Sequence, residues 1–235
     1  MRAGLFFCHS SALFRLSPNG RLSSYIAGIS TWSARTRLAR DRRRPRGFVV
    51  PCQPLLVTTV PSGPGWHFEI KHDGYRMMSR VEDGNARMWS RHGVDWTVSF
   101  PAISRALRAL PASALIDGEA VCSSEDGRSE FHALASPERC VEATLWAFDL
   151  LMRDGEDLRP LPFERRRQHL LELLSDADPN AIAFSEDHDG DGQALFEAAC
   201  RMDLEGIIAK RRGSRYVSGR SRSWLKIKNP HFTRA

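Results

Sequence analysis

The chain is 235 residues long, with 42% hydrophobic and 26% charged residues, ordinary globular usage that excludes a wholly disordered or fibrous chain. Its net charge is +6, and no run approaches the ~18 apolar residues of a membrane span. The five cysteines are odd in number, far apart and without a CxxC pair, which argues against a disulfide framework or zinc site and for a reducing, cytoplasmic compartment.

The charge is unevenly placed. Residues 1–46 hold ten arginines against one aspartate, +9, and residues 201–235 hold ten Lys/Arg against two acids, +8, which leaves −11 for the body between them. Residues 1–46 read as a basic, disordered extension rather than as a targeting peptide or a nucleic-acid-binding arm. The body, 47–235, reads as one domain. The final 35 residues are the better candidate for a polyanion contact, because their charge is interleaved with Tyr216 and Trp224.

Prolines 51, 54, 61 and 64 punctuate the entry to the body. Phe68 and Ile70 alternate with polar neighbours as in a strand, Asp73-Gly74 marks a turn, and Tyr75–Val81 and Ala86–Ser90 are the next strands, split by the turn Asp83-Gly84-Asn85. Ala102–Leu110 has helical spacing. Ala114–Cys122 and Thr144–Leu151 read as buried strands. Phe163–Leu174 predicts a helix with its apolar side at Leu170, Leu171 and Leu174; Gln193–Met202 predicts another. Gly206–Lys210 and Trp224–Lys228 close the pattern as short strands. Strands with interspersed helices, and no regular βαβ alternation, point to an α+β fold.

Several segments carry chemistry. Glu69-Ile70-Lys71-His72-Asp73-Gly74-Tyr75-Arg76 delivers a lysine to a turn between two strands, where neighbouring cations and desolvation can expose its lone pair. Arg91 follows a strand and can meet a ribose or phosphate. Asp117-Gly118-Glu119 places two carboxylates in an apolar strand, which is costly unless they are paired. Phe148 can stack on a base or fill a core. In Trp224-Leu225-Lys226-Ile227-Lys228, alternation puts Lys226 and Lys228 on one face with Trp224, a mutual repulsion that a phosphate would relieve. Asp187, Asp189, Asp191 and Gly192 imitate half an EF-hand, but the twelfth position is Ala198 instead of glutamate.

Taken together, EIKHDGYR, SRHGVDWT, DGE, FDLL, EGIIAK and WLKIK resemble, in order and spacing, the motifs of ATP-dependent DNA ligases, most of all the ligase domain of bacterial end-joining enzymes. The likeness runs from about Pro51 to about Pro230. It implies a nucleotidyltransferase fold, ATP-grasp-like, with two packed antiparallel-rich sheets, flanking helices and an ATP cleft. It implies that Lys71 carries AMP, that Glu69 and Ile70 read the adenine edge, and that Phe148 stacks on the ring. Arg76, Arg91 and Glu119 would contact ribose and phosphate, and Lys226 and Lys228 the α-phosphate, with Lys210 a further phosphate contact. Asp73 and Glu205 would supply oxygens for Mg²⁺ or Mn²⁺. The implied partners are nicked or broken double-stranded DNA and an OB-fold or end-joining protein, in the bacterial cytoplasm, with no membrane. Because the sequence stops at Ala235, soon after Lys228, no OB-fold domain is expected, and adenylylation is expected to be slow or ligation to need a partner. The alternatives are a nucleotidyltransferase or DNA-binding subunit without full turnover, and an RNA ligase or capping-type enzyme.

Overall fold

The computed structural model describes residues 47–124, 129–136 and 141–234. The basic extension expected at 1–46 lies outside the described residues.

Two sheets carry the described chain. The first has the order β1-β11-β10-β2-β9, and the second β4-β3-β5-β6-β7 with β8 paired to β6. Strand β1 is Cys52–Val57, β2 Trp66–Ile70, β3 Tyr75–Glu82, β4 Asn85–Ser90, β5 Ala114–Val121 and β6 Thr144–Arg153. The remaining strands are β7 Glu156–Asp157, β8 Ile182–Phe184, β9 Asp187–His188, β10 Gly206–Arg211 and β11 Gly219–Lys228. The helices are α1 Pro101–Arg108, α2 Phe163–Leu173 and α3 Gly192–Arg201, with a 3₁₀ turn at Phe131–Ala135.

The period of two along each strand builds the layers. In β3, Met77 joins the core under the α1 and α2 helices, while Met78 joins Leu115, Phe148, Cys52 and Trp224 between the two sheets. In β11, Leu225 and Ile227 face the α3 side with Phe68 and Ala199. The opposite face of β11 therefore carries Trp224 and Lys226, the alternation expected from sequence.

Two differences from the sequence reading have physical causes. The proline-rich entry contains a strand, β1, which pairs in parallel with β11 at the sheet edge and breaks register beside Pro54; an edge tolerates the missing donor. The α2 helix buries Phe163, Arg166, Arg167, Leu170 and Leu173, while Leu171 is 56% exposed. Its two inward arginines meet acids: Arg166 grips the buried Asp149 at 2.8 and 2.9 Å, and Arg167 reaches the half-buried Asp187 at 2.8 Å. The acids of the EF-hand imitation, already set aside on sequence, have other partners. Asp187 serves Arg167 and His67, Asp189 meets Arg212 at 3.4 Å, and Asp191 caps α3 by accepting from the Gln193 and Ala194 backbone amides.

Candidate active site

The chain leaves the first sheet at Ile70, turns through Lys71–Gly74 and enters the second sheet at Tyr75. Lys71 thus stands at the junction of the sheets, its backbone N–H donating 2.9 Å to Gly206 O. Two glycines make the junction possible. A Cβ on Gly74 would collide with Ala120 O, and Gly206 holds φ +139° with Ile227 O against it. The turn therefore lies directly on β5, and the start of β10, to which it bonds, lies directly on β11.

A cleft of about 650 Å³ opens beside this junction. Its lining includes Glu69, Ile70, Lys71, Arg76, Arg91, Glu119, Phe148 and Lys226 among the expected residues. Alternation explains the convergence. Glu69 and Lys71 share one side of their segment, Ile208 and Lys210 one side of β10, and Trp224 and Lys226 one side of β11, and all of these line the cleft. From the second sheet, β3 supplies Arg76 and β5 supplies Glu119. Phe148 arrives differently. The pairing of β5 with β6 shifts register at Asp117/Gly118, stepping from Asp149 to Ala147. The skipped residue is Phe148, a bulge that turns its ring toward the space between the sheets.

One end of the cleft consists of paired, buried charge. Both Glu69 oxygens accept from Lys210 Nζ at 2.7 Å, with Glu69 2% and Lys210 1% exposed. Burial pushes the Glu69 carboxyl up and the Lys210 amine down, and each charge opposes the other's shift. Lys210 lies 4.5 Å from the Phe148 ring centroid and 4.2 Å from that of Trp224. Its charge is balanced by Glu69, so the structure shows it as a wall of this end. Arg76 donates to Asp117 at 2.6 and 2.7 Å and sits 4.5 Å from the Phe148 ring centroid.

The other end has cations in excess. Lys71 Nζ donates to Glu205 Oε2, and Lys228 reaches Oε1 of the same carboxylate at 3.0 Å. Lys226 makes no ion pair among the described residues, and burial, Lys228 and Lys71 lower its amine against the pull of Glu205. Arg91 is exposed and donates 2.9 Å to His92. Glu119 makes no ion pair among the described residues; burial raises its carboxyl to about 7 against the pull of Arg76 and Lys71. His72 stacks on Trp146 at 4.8 Å, and burial, with Lys71 and Lys210, lowers it to about 4.

Three expected residues stand outside the cleft lining: Glu205, Lys228 and Asp73. Lys228 attaches only through Glu205. Asp73 is buried, and both its oxygens accept from Arg234, whose guanidinium also lies 4.0 Å from the Phe131 ring centroid. Asp73 is therefore held by the tail segment. Sequence reasoning passed over His72, Arg220 and the β1 wall from Pro51 to Leu56, all of which line the cleft. Asp117 was noticed as a costly acid but given no role.

Residues 56–228 match the family model described as ATP dependent DNA ligase domain. The chain belongs to that family. The likeness read from the six motifs is thereby confirmed, together with the nucleotidyltransferase fold. This ligase-family chain is 41% identical over 207 residues to the multifunctional non-homologous end joining protein LigD of Pseudomonas aeruginosa, covering 83% of this chain and 24% of that one. In structure it matches the ligase domain of M. tuberculosis LigD with a TM-score of 0.66 and 33% identity, over 77% of this chain and 60% of that one. A mycobacterial DNA ligase D complexed with ATP and MES matches over the same shares with a TM-score of 0.63 and 33% identity. The chain spans about a quarter to a third of the length of the curated LigD relatives it matches. No described helix is long and apolar enough to cross a membrane.

Proposed function

We propose that the cleft binds ATP and that Lys71 accepts AMP from it, for transfer to the 5′-phosphate of nicked or broken double-stranded DNA. The observation that carries this reading is the position of Lys71: in the lining of a nucleotide-sized cleft, within a cluster of lysines that lacks enough acids to balance it. Lysines that repel one another are relieved by a phosphate placed among them.

In this reading the Lys71 nitrogen attacks the α-phosphorus, forming an N–P bond as the P–O bond to pyrophosphate breaks. Glu205 accepts a hydrogen bond from that nitrogen and aims it, and the ammonium proton leaves to solvent before the attack. Lys226 and Arg91 steady the phosphates. Glu69 with the Ile70 backbone, Phe148 and Arg76 line the side taken by the nucleoside. Transfer to DNA makes a 5′-adenylate, and attack by the 3′-hydroxyl releases AMP and seals the strand.

Magnesium or manganese fits the acids at the open end. Mg²⁺ sites use one or two carboxylates together with the substrate's phosphates. Glu205 and Glu119 offer two, and a cation beside the burial-raised Glu119 carboxyl would favour its ionised form. Asp73, expected beside them, is bound to Arg234. When bound, the ion offsets phosphate charge as pyrophosphate leaves. An end-joining or OB-fold protein and broken DNA ends remain the proposed partners, by likeness to LigD proteins.

The test is the intact mass of the purified chain after incubation with ATP and Mn²⁺. A gain of one AMP, absent with GTP and absent in Lys71→Ala, is expected. A gain of GMP instead identifies a capping-type enzyme, and no gain with either nucleotide rejects the adenylylation reading.

A further inference from the structure

Tyr216 belongs to the basic closing segment, where an aromatic among arginines reads as a nucleic-acid contact. The structure gives it another place. Its ring is buried against Trp224, with centroids 5.8 Å apart. Its hydroxyl donates to Asp117 Oδ2 at 2.5 Å and accepts from the Cys52 backbone N–H at 2.9 Å. Asp117, itself 0% exposed, is the acid that grips Arg76 through Nε and Nη2. Arg76 Nη2 also approaches Cys52 O at 3.4 Å. One hydroxyl therefore ties together β1, β5 and, through Asp117, the guanidinium on β3.

The consequence for Arg76 is geometric. Two of its three nitrogens are committed to Asp117, so the plane of the guanidinium is fixed. Its Nη1 has no acceptor among the described residues, while the side chain lines the cleft. Two parallel bonds set that plane, but the carboxylate can still rotate on its strand. The third bond, from Tyr216, removes that freedom. The hydroxyl also joins the Asp117 anchor to Cys52, whose neighbours Pro51, Gln53 and Pro54 form the facing cleft wall.

We propose that Tyr216 is a positioning residue for nucleotide capture, acting through Asp117 to aim Arg76 into the cleft. Tyr216 touches no substrate in this arrangement. The proposal rests on the nucleotide reading of the cleft and adds a residue outside its lining. A merely structural tyrosine would weaken binding equally whether or not Arg76 is present; a relay would not.

The experiment is a double-mutant cycle on ATP affinity, measured by calorimetry on the whole chain in a Lys71→Ala background where no adduct forms. The variants are Tyr216→Phe, Arg76→Gln and the pair. Phenylalanine keeps the ring packing, and glutamine keeps one donor for Asp117 while removing the Nη1 donors. Tyr216→Phe is expected to weaken ATP roughly tenfold when Arg76 is present and less than about twofold in the Arg76→Gln background, a coupling in the usual range for residues of one network. With Lys71 intact, the same variant should raise KM for ATP and leave kcat within about twofold. Equal losses in both backgrounds, or no loss at all, overturn the relay. If Tyr216→Phe melts below the assay temperature, the cycle is run at a lower temperature where the variant is folded, with the same two outcomes. Failure of the parent background to bind ATP overturns the nucleotide reading itself, whereas additive losses with intact parent binding overturn only the relay.

Discussion

The two ends of the cleft handle charge in opposite ways. Around Glu69, Lys210, Asp117 and Arg76, each buried charge already has its partner within the protein. Around Lys71, Lys226 and Lys228, a single carboxylate, Glu205, serves two amines while Lys226 makes no ion pair and Glu119 goes unpaired among the described residues. Paired charge in low dielectric is stiff and costly to disturb. Unbalanced charge at a solvent-open mouth is the opposite: it is relieved when an anion arrives. The first end is finished before any ligand binds, and the second is completed by one.

The comparison breaks most visibly at the finished end. Lys210→Met strands the Glu69 carboxylate inside the protein, and a loss of about 3–5 kcal/mol in urea unfolding is expected. A loss near zero would mean that Arg167, 3.6 Å from Glu69, suffices as its partner. At the open end the effects fall on rate. Glu119 is raised to about 7, so it is protonated below that pH and charged above it. In the metal-free enzyme, NMR of carbon-13-labelled glutamate should show a titration limb near pH 7 that Glu119→Gln removes, and that variant should slow lysyl-AMP formation. His72, lowered to about 4, stays neutral across this window and cannot supply the limb. A limb near 4.5 would show that burial does not govern Glu119. Lys226→Ala should slow the same step by roughly 10- to 100-fold, the loss of one or two charge-assisted contacts, with the melting temperature unchanged. The smallest effect belongs to Arg234→Ala. Its guanidinium is 43% exposed, so releasing Asp73 should cost about 1 kcal/mol or less in the same unfolding measurement.

The open end was the more legible in the sequence. Lys71, Arg91 and Lys226 are signalled by their own neighbours: a strand, a turn, an alternating pair. The finished end depends on partners far apart in the chain, Glu69 with Lys210 across 141 residues and Asp117 with Tyr216 across 99. No local pattern reports such a pairing. The same blindness misplaced the face of α2, where periodicity pointed Leu171 inward and could not foresee that Asp149 and Asp187 would draw Arg166 and Arg167 into the core. Strand β1 was hidden for a related reason, since its partner β11 begins more than 160 residues later and its prolines are those of an edge. The arrival of Phe148 at the cleft was read from its motif, but the bulge that aims it was not visible.

The most direct measurement is fragmentation mass spectrometry of the whole chain after incubation with ATP and Mn²⁺, read for the residue that carries AMP. A phosphoramidate on the Lys71 side-chain nitrogen is predicted, and on no other lysine. AMP found on Lys210, Lys226 or Lys228, or an unmodified Lys71 beside a modified residue elsewhere, would contradict the assignment of the nucleophile to the junction of the two sheets.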